Sequence, residues 1–244
     1  MRHCLLIVVI LFFSPLTLCV GEENISNEFP VPKILFHGGG GGAPAFTKDM
    51  KPAAKQLSKL GFPEEHIYQV KYPDSKNIAD MVAALKPQLE DILSHYPPGT
   101  PFDTIGHSLG HVVSLVAVTR LDLLSRLRKL IGIAGVMFGQ MGPKPWLCGY
   151  ALLAPHYCGD IFDILIGTRT PSIVMDILEN KAVEMSRVQK CSLYSPEDGV
   201  LNPYDSGAFP DGINVSIPDM THLEFKGSPQ VFSTIKEACF DGEF

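Results

Sequence analysis

Ser108 stands within Gly106-His107-Ser108-Leu109-Gly110, a G-x-S-x-G pattern, and a serine in that setting could act as a nucleophile. A hydroxyl is a weak nucleophile by itself. It needs a general base, and the base needs a carboxylate to orient it. The local sequence suits the first part of such a device. Pro101-Phe102-Asp103-Thr104-Ile105 reads as a short buried strand, and Val112 to Val118 as a helix with its small and β-branched face inward. A serine on the sharp turn between them projects its hydroxyl out of the fold. The flanking glycines remove the Cβ atoms that would clash there. The helix dipole begins at that serine, and the amide of Leu109 points where an oxyanion would form.

Where a G-x-S-x-G serine sits on such a strand-to-helix turn, the partners follow it in the order acid, then histidine. That order removes most of the eight histidines. His3 lies in the leader, and His37, His66 and His95 precede the serine. His107 adjoins it and is expected to point elsewhere, and His111 lies one helical turn on. His156 precedes the acid candidates. His222 remains, in the loop Pro218-Asp219-Met220-Thr221-His222 after an apolar strand. Loops at the carboxyl ends of strands are where an open α/β sheet holds its ligand. For the acid, Asp198 is favoured, because Ser195-Pro196-Glu197-Asp198-Gly199 follows a separate strand ending at Tyr194. Glu197 is its rival, and Asp205, Asp211 and Asp219 also lie in the interval. A second oxyanion amide is expected from Gly39, in the turn His37-Gly38-Gly39 after the first strand. No Lys-Ser or Lys-Thr follows the glycine run, so the run is not a P-loop. No Cys/His cluster has metal-ligand spacing.

These residues need a scaffold of alternating strands and helices, and the chain supplies one. Strands are expected at Ile34–Phe36, Ile67–Val70, Pro101–Ile105, Leu130–Ala134, Cys191–Tyr194 and Ile213–Ile217. Helices are expected from a Thr47 cap to Leu60, along Ile78 to Leu93 with a kink at Pro87, near Pro171–Met185, and from Pro229 to about Cys239. The expected fold is a single α/β domain. It has a mostly parallel sheet of about six strands, helices on both faces and an insertion at about 138–168 after the fourth strand. Phe138, Met141, Trp146, Leu152 and Leu153 in that insertion are candidates to line or cover an acyl pocket. The alternative is a structural loop.

Two further features concern compartment. Met1-Arg2-His3 followed by the apolar stretch Cys4–Val20, with a cleavage site near Gly21, reads as a secretory signal over residues 1–21, with the mature domain at 22–244. Four cysteines remain after it: Cys148, Cys158, Cys191 and Cys239. In an oxidising compartment they allow three pairings. Cys148–Cys158 is favoured because the two bracket one loop, which leaves Cys191–Cys239. Asn24 and Asn214 fit the N-glycosylation pattern. The net charge of −6, with no basic run, argues against a nucleic-acid partner.

Taken together, the chain resembles the α/β-hydrolase superfamily, and within it the small class 2 lipase and esterase group. The likeness rests on Phe36-His37-Gly38-Gly39, Gly106 to Gly110, Ile133-Ala134-Gly135, Tyr194 to Asp198 and Thr221-His222. It extends more distantly to palmitoyl-protein thioesterases. The resemblance implies a secreted carboxylic-ester hydrolase acting on lipid-like acyl substrates, with Ser108, Asp198 and His222 as a triad and no cofactor. Partners would be a lipid or small-molecule ester and transiently a lipid interface. Acyl-thioester cleavage shares the chemistry and is the alternative. A non-catalytic binding protein on this scaffold is the second, disfavoured by the presence of all three triad candidates. Two departures stand out. His111 occupies a position where many relatives carry glycine, which is expected to crowd the helix against the sheet. The five-glycine run Gly38–Gly42 is longer than usual.

Overall fold

Among the described residues six strands form one sheet in the order β2-β1-β3-β4-β5-β6, and every neighbouring pair is parallel. The structure is a computed structural model and describes residues 30–39, 49–73, 77–138 and 173–242. The leader 1–21, Asn24, Cys148, Cys158, Thr47, Met141, Trp146, Leu152, Leu153 and the rest of the 138–168 insertion beyond Phe138 lie outside the described residues. The strands are β1 (Lys33–Phe36), β2 (Ile67–Gln69), β3 (Phe102–His107), β4 (Leu127–Ile133), β5 (Gln189–Tyr194) and β6 (Ile213–Ser216). β1 and β3 are buried along their whole length, as strands covered on both faces must be. The edge strand β6 instead alternates between half-buried and exposed residues.

The helices divide between the two faces. On one side α2 (Ile78–Ser94), α3 (Leu109–Arg120) and α4 (Ile173–Asn180) pack around a core containing Met81, Leu85, Leu89, Val112, Val116 and Val174. On the other, α1 (Lys51–Lys59) and α6 (Pro229–Thr234) cover Leu35, Ile105, Ile131 and Leu193. α3 is buried from Leu109 to Val118, so it carries no polar stripe and lies wholly within the core. The expected helix near 171–185 is broken in two. α4 ends at Asn180, Lys181 leaves helical geometry at φ −120°, and α5 (Ala182–Met185) starts afresh. The expected helix from Pro229 does reach Cys239, but its last five residues, Ile235–Cys239, form a π turn.

Cys191 on β5 and Cys239 at the end of that turn form a disulfide with Cα atoms 5.9 Å apart, the pairing expected from the sequence. Asn214 lies on β6. Its side-chain amide donates to the carbonyls of Phe209 (2.7 Å) and Gly212 (3.1 Å), and its oxygen accepts from the Phe209 amide. A glycan on that nitrogen would compete with this turn. No helix among the described residues is long and apolar enough to cross a membrane.

Candidate active site

The nucleophile candidate sits where β3 ends and α3 begins. Ser108 has φ 53° and ψ −126°, a left-handed conformation that is strained for any residue with a Cβ. The neighbouring glycines explain how the turn closes. A Cβ on Gly106 would fall 2.4 Å from Cα of His111, and one on Gly110 would fall 2.4 Å from the carbonyl oxygen of Phe36. The first glycine lets the helix start against its own strand. The second lets it lie across β1.

Asp198 and His222 meet. His222 Nδ1 donates to Asp198 Oδ2 at 2.8 Å, with both side chains buried. A carboxylate only accepts, so Nδ1 carries the proton and Nε2 is left as the basic nitrogen. The other carboxylate oxygen, Oδ1, accepts from the amides of Val200 (2.9 Å) and Leu201 (2.7 Å), which fixes the Asp198 side chain. Two of its rivals, Glu197 and Asp211, are engaged elsewhere. Glu197 Oε2 accepts from Ser195 Oγ (3.0 Å) and from the Asp219 amide (3.1 Å), tying the acid loop to the base loop. Asp211 pairs with Lys190 at 2.8 Å.

Gly39 lies close to the start of α3. A Cβ on it would stand 3.3 Å from Leu109 Cδ2, and one on Gly38 would stand 3.0 Å from Cβ of Ser108. The turn after β1 therefore rests directly on the serine turn, so both candidate oxyanion amides belong to segments in contact. His37 anchors the turn. Its ring stacks on Tyr72 with centroids 3.9 Å apart, its Nδ1 donates to the Gly38 carbonyl at 2.8 Å, and the Tyr72 hydroxyl donates to its own carbonyl.

Two histidines set aside in the sequence contribute to this region. His107 does not point elsewhere but toward His222. Its Nε2 donates to the main-chain carbonyl of His222 at 2.9 Å, and the two rings lie 4.8 Å apart. Burial holds its pKa well below the ordinary imidazole value, the charges of His222, Lys226 and His37 push in the same direction, and the hydrogen bond to the His222 carbonyl pulls the other way without offsetting them. The only sequence signal was its place beside the serine, since the side-chain direction of a strand's last residue depends on the turn that follows. His111 is fully buried, and burial lowers its pKa to about 3. The crowding expected from it is relieved by the sheet. Cβ atoms on Gly132 and Gly135 would each fall 2.3 Å from its Nδ1, so its ring occupies the space those two glycines leave. Phe138, the described end of the insertion, packs edge-on against Phe209 with ring centroids 5.5 Å apart. A groove of about 560 Å³ opens beside the base loop, between Pro52 at the start of α1 and Met220, Leu223 and Glu224.

No protein-family profile and no curated protein sequence matches this chain. Solved structures do. The mature form of a lipase from Bacillus licheniformis is similar over 85% of this chain and 91% of that one, at 16% identity and a TM-score of 0.58. An extracellular α/β-hydrolase from a Paenibacillus species aligns over 86% of this chain and 99% of its own, at 15% identity and a TM-score of 0.56. Lipase B of Aspergillus fumigatus aligns over 83% of this chain at 14% identity and a TM-score of 0.56, and the alignment spans 50% of that enzyme. The chain has the α/β-hydrolase fold.

Proposed function

We propose that this chain is an exported serine hydrolase that cleaves carboxylic esters of lipid-like acyl groups. The observation that carries the reading is the 2.8 Å bond between Asp198 and a His222 left basic at Nε2, on the sheet whose β3–α3 turn presents Ser108 in a strained conformation. Similarity to structures described as lipases, and to an extracellular α/β-hydrolase, supports the substrate class and the export. The Cys191–Cys239 disulfide fits an oxidising compartment.

In this reading Ser108 Oγ attacks the acyl carbonyl and His222 Nε2 takes the hydroxyl proton. The amides of Leu109 and Gly39 receive the negative charge that forms on the carbonyl oxygen. Collapse breaks the bond to the leaving alcohol, which takes the proton from His222 and departs. Water, activated by the same imidazole, then hydrolyses the acyl-serine. Asp198 holds the imidazole tautomer and stabilises it while it is charged. The groove at Met220 and Leu223 borders the base loop and gives part of a substrate somewhere to lie.

The test is a fluorophosphonate probe on the purified mature chain, with the labelled peptide identified, followed by assays on short-chain and long-chain p-nitrophenyl esters and an acyl thioester. Labelling at Ser108 with ester turnover is the expected result. An unlabelled chain with no esterase activity would refute the proposal.

A further inference from the structure

The base residue is held at three points. Its amide donates to the Asp198 carbonyl at 3.0 Å, and its Nδ1 donates to the Asp198 carboxylate at 2.8 Å. Its own carbonyl accepts from His107 Nε2 at 2.9 Å. The first two anchors come from the acid. The third comes from the residue that precedes Ser108, and it ties the base loop to the nucleophile turn.

His107 is well placed to do this. It is the last residue of β3, paired in register with Ile133 on β4, and is 3% exposed. A Cβ on Gly38 would lie 3.0 Å from its Nδ1, so the same imidazole touches the turn after β1 on one side and the His222 carbonyl on the other. One rigid ring thus spans the three segments that the proposed chemistry needs in register: the turn after β1, the serine turn and the base loop. The acceptor is a carbonyl, so Nε2 carries the proton. Burial and the charges of His222, Lys226 and His37 oppose a second proton on the ring, and they outweigh the bond to the His222 carbonyl, which favours one. A neutral ring suits the position, because a charged one would oppose the imidazolium that His222 must become.

We infer that His107 is a positioning residue, whose Nε2–H fixes the main chain of His222 relative to Ser108. The inference rests on the hydrolase reading above, and the experiment separates the two. His107→Leu, His107→Asn and His107→Gln are compared in the full mature chain. The glutamine amide nitrogen reaches about as far as imidazole Nε2, whereas that of asparagine falls short. On p-nitrophenyl butyrate, the leucine and asparagine variants should lose kcat by about tenfold to a hundredfold with KM nearly unchanged, the scale of one buried hydrogen bond. Glutamine should restore most of it. A second reading is independent of turnover. The low-field proton resonance of His222 Nδ1–H should persist in wild type and His107→Gln, and be lost in His107→Asn. If His107→Leu does not fold, the asparagine and glutamine pair, checked by thermal unfolding, carries the comparison. Equal kcat and equal resonances across asparagine and glutamine would overturn the inference. A wild type that neither labels nor turns over would instead refute the hydrolase reading, leaving the resonance to decide the role of His107.

Discussion

Asp198 grips His222 twice, through its carboxylate at 2.8 Å and through its main-chain carbonyl at 3.0 Å. The two bonds separate position from protonation. A substitution that changes only the carboxylate leaves the main-chain link, and so leaves the base loop in place.

Asp198→Asn exploits that separation. The amide oxygen can keep accepting from Val200 and Leu201, which turns the NH₂ group toward His222. Two donors then face each other unless the imidazole moves its proton to Nε2, and the base is lost. Ester turnover should fall by about 10⁴-fold with little change in the unfolding midpoint. Glu197→Gln should lower turnover by less than about tenfold, because an amide oxygen can still accept the Ser195 and Asp219 donors. Steady-state kinetics on both variants decides the acid: a silent Asp198→Asn beside a crippled Glu197→Gln reverses the assignment.

Ser108 combines a chemical role in the proposal with a conformational cost in the fold. At φ 53° its side chain is a source of strain, of order 1–3 kcal/mol. Ser108→Ala should abolish turnover, by about 10⁴-fold or more, at unchanged stability. Ser108→Gly should abolish turnover and also stabilise the chain by about 1 kcal/mol, since glycine accepts that conformation. Urea unfolding of the two variants measures the difference. A glycine variant no more stable than the alanine one would show that the turn stores no strain.

His111 and Gly132 should be energetically coupled. The ring lies where a Gly132 Cβ would be, at 2.3 Å. Gly132→Ala alone therefore forces a clash and should cost about 1–3 kcal/mol. His111→Ala alone empties the site. Combined, the new methyl group enters the space the ring has left, so the double variant should be less destabilised than the sum of the singles by at least about 1 kcal/mol. Additive costs in a double-mutant cycle would contradict this packing.

Much of this architecture could be read from the chain, because the signals were local. Continuous apolar runs such as Leu130–Ile133 marked buried strands. Chain order left His222 as the base candidate, and the strand ending at Tyr194 favoured Asp198 just after it. The contributions of His107 and His111 could not be read that way. Each depends on a partner far along the chain: His222 for the first, Gly132 and Gly135 for the second. The break at Lys181 was equally hidden, since the apolar spacing of 173–185 runs on through it.

His111 also predicts a pH dependence. Its pKa falls from an ordinary value near 6.5 to about 3 in the fold because it is buried. The unfolded chain therefore takes up a proton that the folded chain refuses. Stability should decline as pH drops through about 6.5 and go on declining toward 3. The slope from this one group is about 1.4 kcal/mol per pH unit. His107, shifted the same way, adds to it. Both ring nitrogens of His111 lack a hydrogen-bond partner among the described residues, so an apolar replacement loses no bond. His111→Leu should thus be less acid-sensitive than wild type, measured as the change in unfolding free energy between pH 7 and pH 5. Parallel losses in the two proteins would contradict a buried neutral histidine.

The last prediction concerns the Cys191–Cys239 bridge. It joins β5, the strand that leads to Asp198, to the end of the segment that follows His222, across a sequence separation of 48. Closing a loop of that size is worth about 4 kcal/mol in the chain-entropy model. The Cys239 carbonyl also accepts from Lys129 on β4 at 2.7 Å, so the bridge lies within a buried seam of the sheet. Cys191→Ala with Cys239→Ala should therefore unfold at a clearly lower urea concentration. Turnover should fall along with stability, because the segments carrying acid and base would no longer be tied together below the site. Peptide mapping of the unreduced mature chain checks the pairing directly. If Cys191 is instead found joined to Cys148 or Cys158, this bridge is wrong, and the double alanine variant should not be read as a test of how the acid and base are held.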